Sequence, residues 1–190
     1  ACMVESLGLT LSGAAAIPAA DSRKKVLAQL SGKRIVQMVK DNLTIDKILT
    51  REAFENSIMV NAAVGGSSNF VIHLLAIAGR VGVKLELEDF DTIGSHIPLL
   101  VNLMPSGKFL MEDFYYAGGL PVVLNELKDR LHKNVITVTG NNHEENIKNS
   151  TDCYNDEVIA TYDKPLIPAA GCVVVKGNLA LNGAVMKPSA

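Results

Sequence analysis

Gly65-Gly66-Ser67-Ser68-Asn69 joins two apolar helical patterns and brings together the residue types that meet a small polar ligand. Paired glycines let a backbone approach a ligand or another helix, because no Cβ stands in the way. The hydroxyls of Ser67 and Ser68 and the carboxamide of Asn69 fall where the next helix begins. There they either cap its free N–H groups or receive an anion such as a carboxylate. The residues alone leave both readings open. A second pair, Gly118-Gly119, separates Phe114–Tyr116 from Leu120–Val123.

The other candidates have plainer explanations. His73 lies in the most apolar helical pattern and reads as a core histidine before a ligand or base. His96 precedes Ile97-Pro98 near a possible cleft, while His132 and His143 stand among polar neighbours and read as surface residues. Asp89, Asp91, Glu112 and Asp113 fall near helix starts, where the helix dipole favours acids without any catalytic role. Met104–Lys108 lacks the glycine–lysine frame of a phosphate loop. Cys2, Cys153 and Cys172 are widely spaced and odd in number, with no C-x-x-C pair, so no local zinc site is visible and reduced thiols in a cytoplasmic compartment fit best. No Ser-His-Asp order, metal triad or dinucleotide fingerprint stands out.

These residues must be carried by a folded α/β chain. At 190 residues, 48% hydrophobic and 20% charged, the chain has enough apolar material for one core and is not disordered. A net charge of −2 argues against nucleic acid, and Arg23-Lys24-Lys25, Lys33-Arg34 and Lys40 read as a solvated helix face. There is no apolar run of membrane-spanning length and no secretory leader pattern.

Helical periodicity predicts a first helix closed by Gly8 and a long one capped by Asp21 or Ser22, with Leu27, Leu30, Ile35, Met38 and Val39 as its apolar stripe. Gly32 weakens the continuity of that helix. Thr50 is the expected cap of a helix toward Val64, with Phe54, Ile58 and Val60 buried. The helix from about Asn69 to Val81 is apolar nearly all round and is expected to be buried on most sides. A short helix over Glu86–Thr92, helices over Leu110–Tyr116 and Leu120–Leu131, and a polar helix or turn over Asn142–Asn149 follow. Leu99–Leu103 and Val135–Val138 read as short strands. Gly171–Lys176 reads as a strand leading into a hairpin turned at Asn182-Gly183, as a type I′ turn would require. The divisions expected are 1–150 for an α/β domain, 151–170 for a connector and 171–190 for the start of a β domain. Both ends read as cut from a longer protein.

Several segments in order, from one end of the chain to the other, resemble the dihydroxy-acid and sugar-acid dehydratase family, which includes 6-phosphogluconate dehydratase. They are Glu5-Ser-Leu-Gly8, Ala53-Phe-Glu-Asn56, Gly65–Asn69 with Val71–Ala78, Leu103–Lys108, Ala117-Gly-Gly-Leu-Pro121, Tyr154–Val158 and Gly177–Ala180. Phe114–Leu120 looks more like the pentonate branch than the branched-chain amino-acid branch. The resemblance implies the later part of a layered α/β/α N-terminal domain followed by the first strands of a C-terminal β-barrel domain. It implies a hydro-lyase that converts a 2,3-dihydroxy carboxylate, a sugar acid such as L-arabinonate, into a 2-keto-3-deoxy acid.

An iron–sulfur cluster, two-iron in preference to four-iron, is implied, with one iron open to take the departing hydroxyl, and so are a Mg²⁺ bound partly through a carbamylated lysine and a serine base. By the same resemblance those groups lie outside these residues. Cys2, Cys153 and Cys172 do not match the cluster cysteines, and no catalytic or metal residue is assigned here. Ser67, Ser68 and Asn69 are the substrate-side candidates. Ser68 stands where the family usually has threonine, and Leu181 where it usually has proline. The resemblance further implies a cytoplasmic homodimer or homotetramer acting on a small acid, with no nucleic-acid or membrane partner, and a 190-residue piece inactive by itself. The rival readings are a dehydratase of branched-chain amino-acid biosynthesis and a non-catalytic scaffold.

Overall fold

The computed structural model describes residues 1–148, 150 and 152–187. Among these the chain is α/β, with nine helices and one two-stranded sheet. In order they are α1 (Cys2–Ser6), α2 (Ser22–Lys40), α3 (Ile45–Ile48), α4 (Arg51–Ala63), α5 (Asn69–Arg80), α6 (Leu87–Gly94), α7 (Met111–Tyr116), α8 (Gly119–Glu126), α9 (His143–Lys148), β1 (Val173–Gly177) and β2 (Ala180–Met186).

Helix α4 is the axis of the core. Thr50 caps it as expected, its hydroxyl accepting from the Ala53 N–H at 3.4 Å, and ten of its thirteen residues are buried. Two apolar clusters meet on it. Ala53, Phe54 and Ile58 join Leu7, Leu74 and Phe90, whereas Met59, Val60 and Ala63 join Leu100, Phe114 and Leu120. A helix covered on all sides needs apolar residues all round, which is why α4 shows little amphipathic contrast.

Two other helices depart from expectation. Helix α2 starts at its Asp21 cap and runs unbroken through Gly32, where an added Cβ would meet nothing within 4 Å beyond the helix's own backbone. Its predicted stripe is not a core face: Met38 alone is buried, and Leu30, Ile35 and Val39 are exposed, Val39 by 75%. The helix touches the body at its start, where Arg23 lies over the Tyr115 ring and Lys24 donates to the Ala14 carbonyl, and further on through Met38 and Arg34, whose Nε donates to the Val138 carbonyl. Helix α5 buries Val71, Leu74 and Ala78 at a spacing of three and four, yet leaves Ile72 70% exposed. One stripe therefore faces the core, and the surplus apolar residues face outward.

The predicted strands over Leu99–Leu103 and Val135–Val138 do not form ladders. Leu99 bridges Ile167, Val101 bridges Ile159, Leu103 bridges Phe109 and Ile136 bridges Asn142, each as an isolated pair. Leu99–Val101 is extended and buried, but the segments crossing it pair for a residue at a time: Ala160 N–H to Leu100 O at 2.8 Å, and Leu99 N–H to Ile167 O at 2.8 Å.

The sheet is an antiparallel hairpin, with its turn in a different place from the one predicted. Gly177 pairs with Ala180, so Asn178-Leu179 makes the turn, and Asn182-Gly183 lies inside β2. Pairing of Val173, Val174 and Val175 with Met186, Val185 and Ala184 sets the register. The left-handed φ of +97° at Gly183 is absorbed by the irregularity opposite Lys176 rather than by a turn. The hairpin docks on α6 through the Lys176–Glu88 ion pair and the close stacking of Gly171 on Gly94. Of the predicted polar helix over Asn142–Asn149, α9 supplies His143–Lys148; Asn149 lies outside the described residues, as does the end of the chain beyond Lys187. No helix among the described residues is long and apolar enough to cross a membrane.

Candidate functional site

The Gly65-Gly66 pair ends α4 in a double cap. Gly66 N–H bonds the Asn61 carbonyl at 2.9 Å and Gly65 N–H bonds the Ala62 carbonyl at 3.1 Å, with Gly65 at a φ of +61°. This pattern returns orphaned carbonyls to the hydrogen-bond ledger and requires the left-handed residue that glycine supplies. The chain then turns at once into α5. Between the turn and the Leu103–Pro105 segment opens a cleft of about 580 Å³, lined among others by Cys2, Asn61, Gly66, Ser67, Ser68 and Lys187.

The three substrate-side candidates separate here. Ser67 and Ser68 are exposed and line the cleft. Asn69 is exposed and is not among the lining residues. Capping accounts for one hydroxyl only: Ser67 Oγ accepts from the Asn69 N–H at 3.3 Å, whereas the Ser68 side chain makes no cap bond. Lys187 brings a cation to the same place, its Nζ donating to the Gly65 carbonyl at 2.9 Å and to Ser106 Oγ at 3.1 Å. A helix start, hydroxyls and an ammonium together suit an anionic, hydroxyl-bearing ligand.

The remaining polar groups are structural. Asp89 accepts from the Glu86 N–H at 2.7 Å, and Asp113 accepts from the Leu110 N–H at 2.8 Å; both are helix caps. Hydrogen bonds from Arg51 at 2.7 and 2.9 Å hold the Asp89 carboxyl below the usual range. Arg51 also bonds Glu55 at 2.7 Å, and Glu55 meets His132 at 2.6 Å, a hydrogen-bonded chain at the surface. His96 is exposed, and so is His73, which stands on the outer face of α5 instead of in the core.

His143, expected at the surface, is buried. Its Nε2–H donates to the Ser6 carbonyl at 3.0 Å, and burial pushes the ring below its ordinary pKa. The signal was present: His143 and Ile147 share a helical face, and both are buried. Glu5, which the sequence marks only as part of the Glu5–Gly8 segment and not as a site residue, is 4% exposed. Its two oxygens accept from the Gly13 N–H at 2.6 Å and the Ala15 N–H at 2.7 Å. Desolvation raises its pKa against those bonds.

The cysteines do not form a metal centre. Cys2 is half-buried, Cys153 exposed and Cys172 buried, and burial pushes the Cys2 thiol up to about 11, the opposite of a metal-bound thiolate. Among the described residues no three His, Cys, Asp or Glu side chains gather to hold a metal ion. Among the described residues the donors do not fit an iron–sulfur cluster or a Mg²⁺.

The chain belongs to the dihydroxy-acid/6-phosphogluconate dehydratase family, whose N-terminal domain matches residues 1–146. It is 57% identical over 188 residues to L-arabinonate dehydratase of Rhizobium leguminosarum bv. trifolii, covering 98% of this chain and 32% of that protein. It is 54% identical over 193 residues to L-arabonate dehydratase of Azospirillum brasilense, covering 100% of this chain and 33% of that protein. Against dihydroxy-acid dehydratase of Ignicoccus hospitalis the identity is 46% over 188 residues, covering 98% of this chain and 34% of that protein. The chain spans about a third of the length of the curated relatives it matches.

Proposed function

We propose that the protein carrying this chain is a hydro-lyase that removes water from a sugar acid such as L-arabinonate to give a 2-keto-3-deoxy acid. The observation that carries the reading is similarity along the whole chain, at 57% and 54%, to two proteins named for that substrate. The cleft supports it, since Ser67, Ser68 and Lys187 offer hydroxyls and a cation to a hydroxylated carboxylate. The chemistry is demanding: hydroxide leaves poorly and a proton beside a carboxylate is weakly acidic.

The iron–sulfur cluster and Mg²⁺ proposed for that task would be held by residues of the whole protein outside this chain. The role of this chain is to bind and orient the acid. We place it in the later part of a layered α/β/α domain, with the hairpin opening a β-barrel domain, in a cytoplasmic homodimer or homotetramer. The 46% identity to a dihydroxy-acid dehydratase favours a second reading, the same elimination on a branched dihydroxy acid.

Steady-state turnover of the full-length protein on L-arabinonate and on 2,3-dihydroxyisovalerate, with 2-keto product quantified, tests the proposal. A kcat/KM for L-arabinonate higher by about tenfold or more is expected, the scale of one net hydrogen bond in a site. Preference for 2,3-dihydroxyisovalerate transfers the assignment to the second reading, and turnover of neither overturns both.

A further inference from the structure

The buried polar groups of α4 are matched with one exception. Asn56 accepts from the His132 N–H at 2.8 Å and donates to the His132 carbonyl at 3.0 Å, and Ser57 meets Ser6 at 3.2 Å. Asn61 is only 4% exposed, and its carboxamide has no hydrogen-bond partner among the described residues. Its carboxamide is open to the cleft, where water or a ligand can reach it. The Asn61 side chain is nonetheless held in place. Its Oδ1 lies against the Cα of Gly66, so a Cβ on Gly66 would sit 1.9 Å from it. Gly66 has no left-handed φ to explain its identity; it leaves room for this carboxamide, which lines the cleft.

The rest of the cleft has donors to spare. The N–H groups of Ser67 and Ser68 carry no hydrogen bond among the described residues, at the start of the twelve-residue helix α5. Lys187 uses two of its three donors on Gly65 and Ser106.

We propose that Asn61 is a specificity-determining residue: its carboxamide hydrogen-bonds a hydroxyl of a polyhydroxy carboxylate whose carboxylate lies between the start of α5 and Lys187. The substrate class rests on the dehydratase reading above. A ligand hydroxyl can take the place of water at Asn61, since a carboxamide both donates to and accepts from a hydroxyl.

The test uses the full-length protein with Asn61→Leu, Asn61→Ala and Gly66→Ala. Calorimetric binding of L-arabinonate, steady-state kinetics and thermal unfolding are measured on each. Asn61→Leu exchanges a cleft-facing carboxamide with no protein partner for an apolar side chain of similar size, so its Tm is expected to change little. Its Kd and KM for L-arabinonate are expected to rise about tenfold with kcat unchanged, the cost of one hydrogen bond lost in ground state and transition state alike. Asn61→Ala and Gly66→Ala are expected to weaken binding in the same direction. A wild type that binds L-arabinonate but does not dehydrate it sinks the dehydratase reading and leaves the role of Asn61 to be decided by the binding data. Unchanged binding in the Asn61 variants, or a drop in Tm with binding retained, overturns the proposal for Asn61. So does a wild type that does not bind L-arabinonate.

Discussion

Glu5→Ala is expected to destabilise the chain strongly, because it strands two backbone donors at once. Gly13 and Ala15 each give an N–H to the Glu5 carboxylate, and each donor left unmade in the interior costs about 1–3 kcal/mol. The loop they belong to has no side chain able to substitute: Gly13-Ala14-Ala15-Ala16 is all small and apolar. Its position matters beyond the loop itself. Ala16 packs where a Cβ on Gly119 would come within 3.4 Å, so the loop forms part of the bed for α8. Hydrogen exchange should show protection lost at the Gly13 and Ala15 amides first. Glu5→Gln keeps the volume and one acceptor oxygen but sets an NH2 against the other N–H, so it should retain protection at one of the two amides and lose it at the other.

The same carboxyl is coupled to pH in a direction opposite to that of His143. Desolvation raises the Glu5 pKa above its ordinary 4.5, so above that value the folded chain holds a proton that the unfolded chain has released. The stability Glu5 contributes is full below 4.5 and is lost as pH rises through the folded value. His143 is depressed below 6.5 by desolvation. Its contribution is full above 6.5 and is lost as pH falls through its folded value. Both side chains are anchored at α1, Glu5 within it and His143 on the Ser6 carbonyl. The two contributions run in opposite directions: as pH falls, that of Glu5 is gained and that of His143 is lost. In Glu5→Gln the slope of His143 stands alone, so unfolding midpoints should fall as pH is lowered from about 7 to about 5 more steeply than in the wild type.

How far the sequence revealed this arrangement depends on whether a residue's neighbours in sequence are also its neighbours in space. The Thr50 cap, the Gly65 terminator and the buried Phe54, Ile58 and Val60 were legible because the signal and its partner lie within a few residues of each other. The stripe on α2 has the same period and is not core, because periodicity says which residues share a face and not whether anything covers it. The hairpin turn was misplaced for a related reason. Asn182-Gly183 is a strong local turn, but pairing of the three valines at 173–175 outweighs it, and a bulge accommodates the glycine. At the cleft, Ser67 and Ser68 could be read from the glycine pair and the helix that follows. Asn61 could not: within an apolar helix, carboxamides at 56 and 61 look alike, and only the location of His132 shows that one is paired and the other is not.

Phe54→Ala is expected to cost about 3–5 kcal/mol, the range for deleting a buried aromatic ring whose surroundings relax only partly. Phe54 is fully buried and shares its cluster with Leu7 of the α1 end, Leu74 and Ala78 of α5 and Phe90 of α6. Closing the void would require three separate elements to move toward α4 together, and each has other anchors. Phe90 is set edge-on to Phe70 at 5.3 Å between ring centroids and 74° between planes, and α6 is tied to α4 by the paired bonds of Arg51 and Asp89. The cavity should therefore persist. Phe54→Leu refills most of it and should cost about 1.5 kcal/mol or less. The second cluster, around Phe114 and Leu120, lies on the other part of α4, so increased exchange should concentrate in α5 and α6 before it reaches α8. Phe70 lines the cleft and rests on Phe90, so the loss of Phe54 should also loosen the start of α5. Ligand affinity is then expected to fall together with stability in Phe54→Ala. In Asn61→Leu it falls alone, and that contrast separates a residue that supports the cleft from one that reads its occupant.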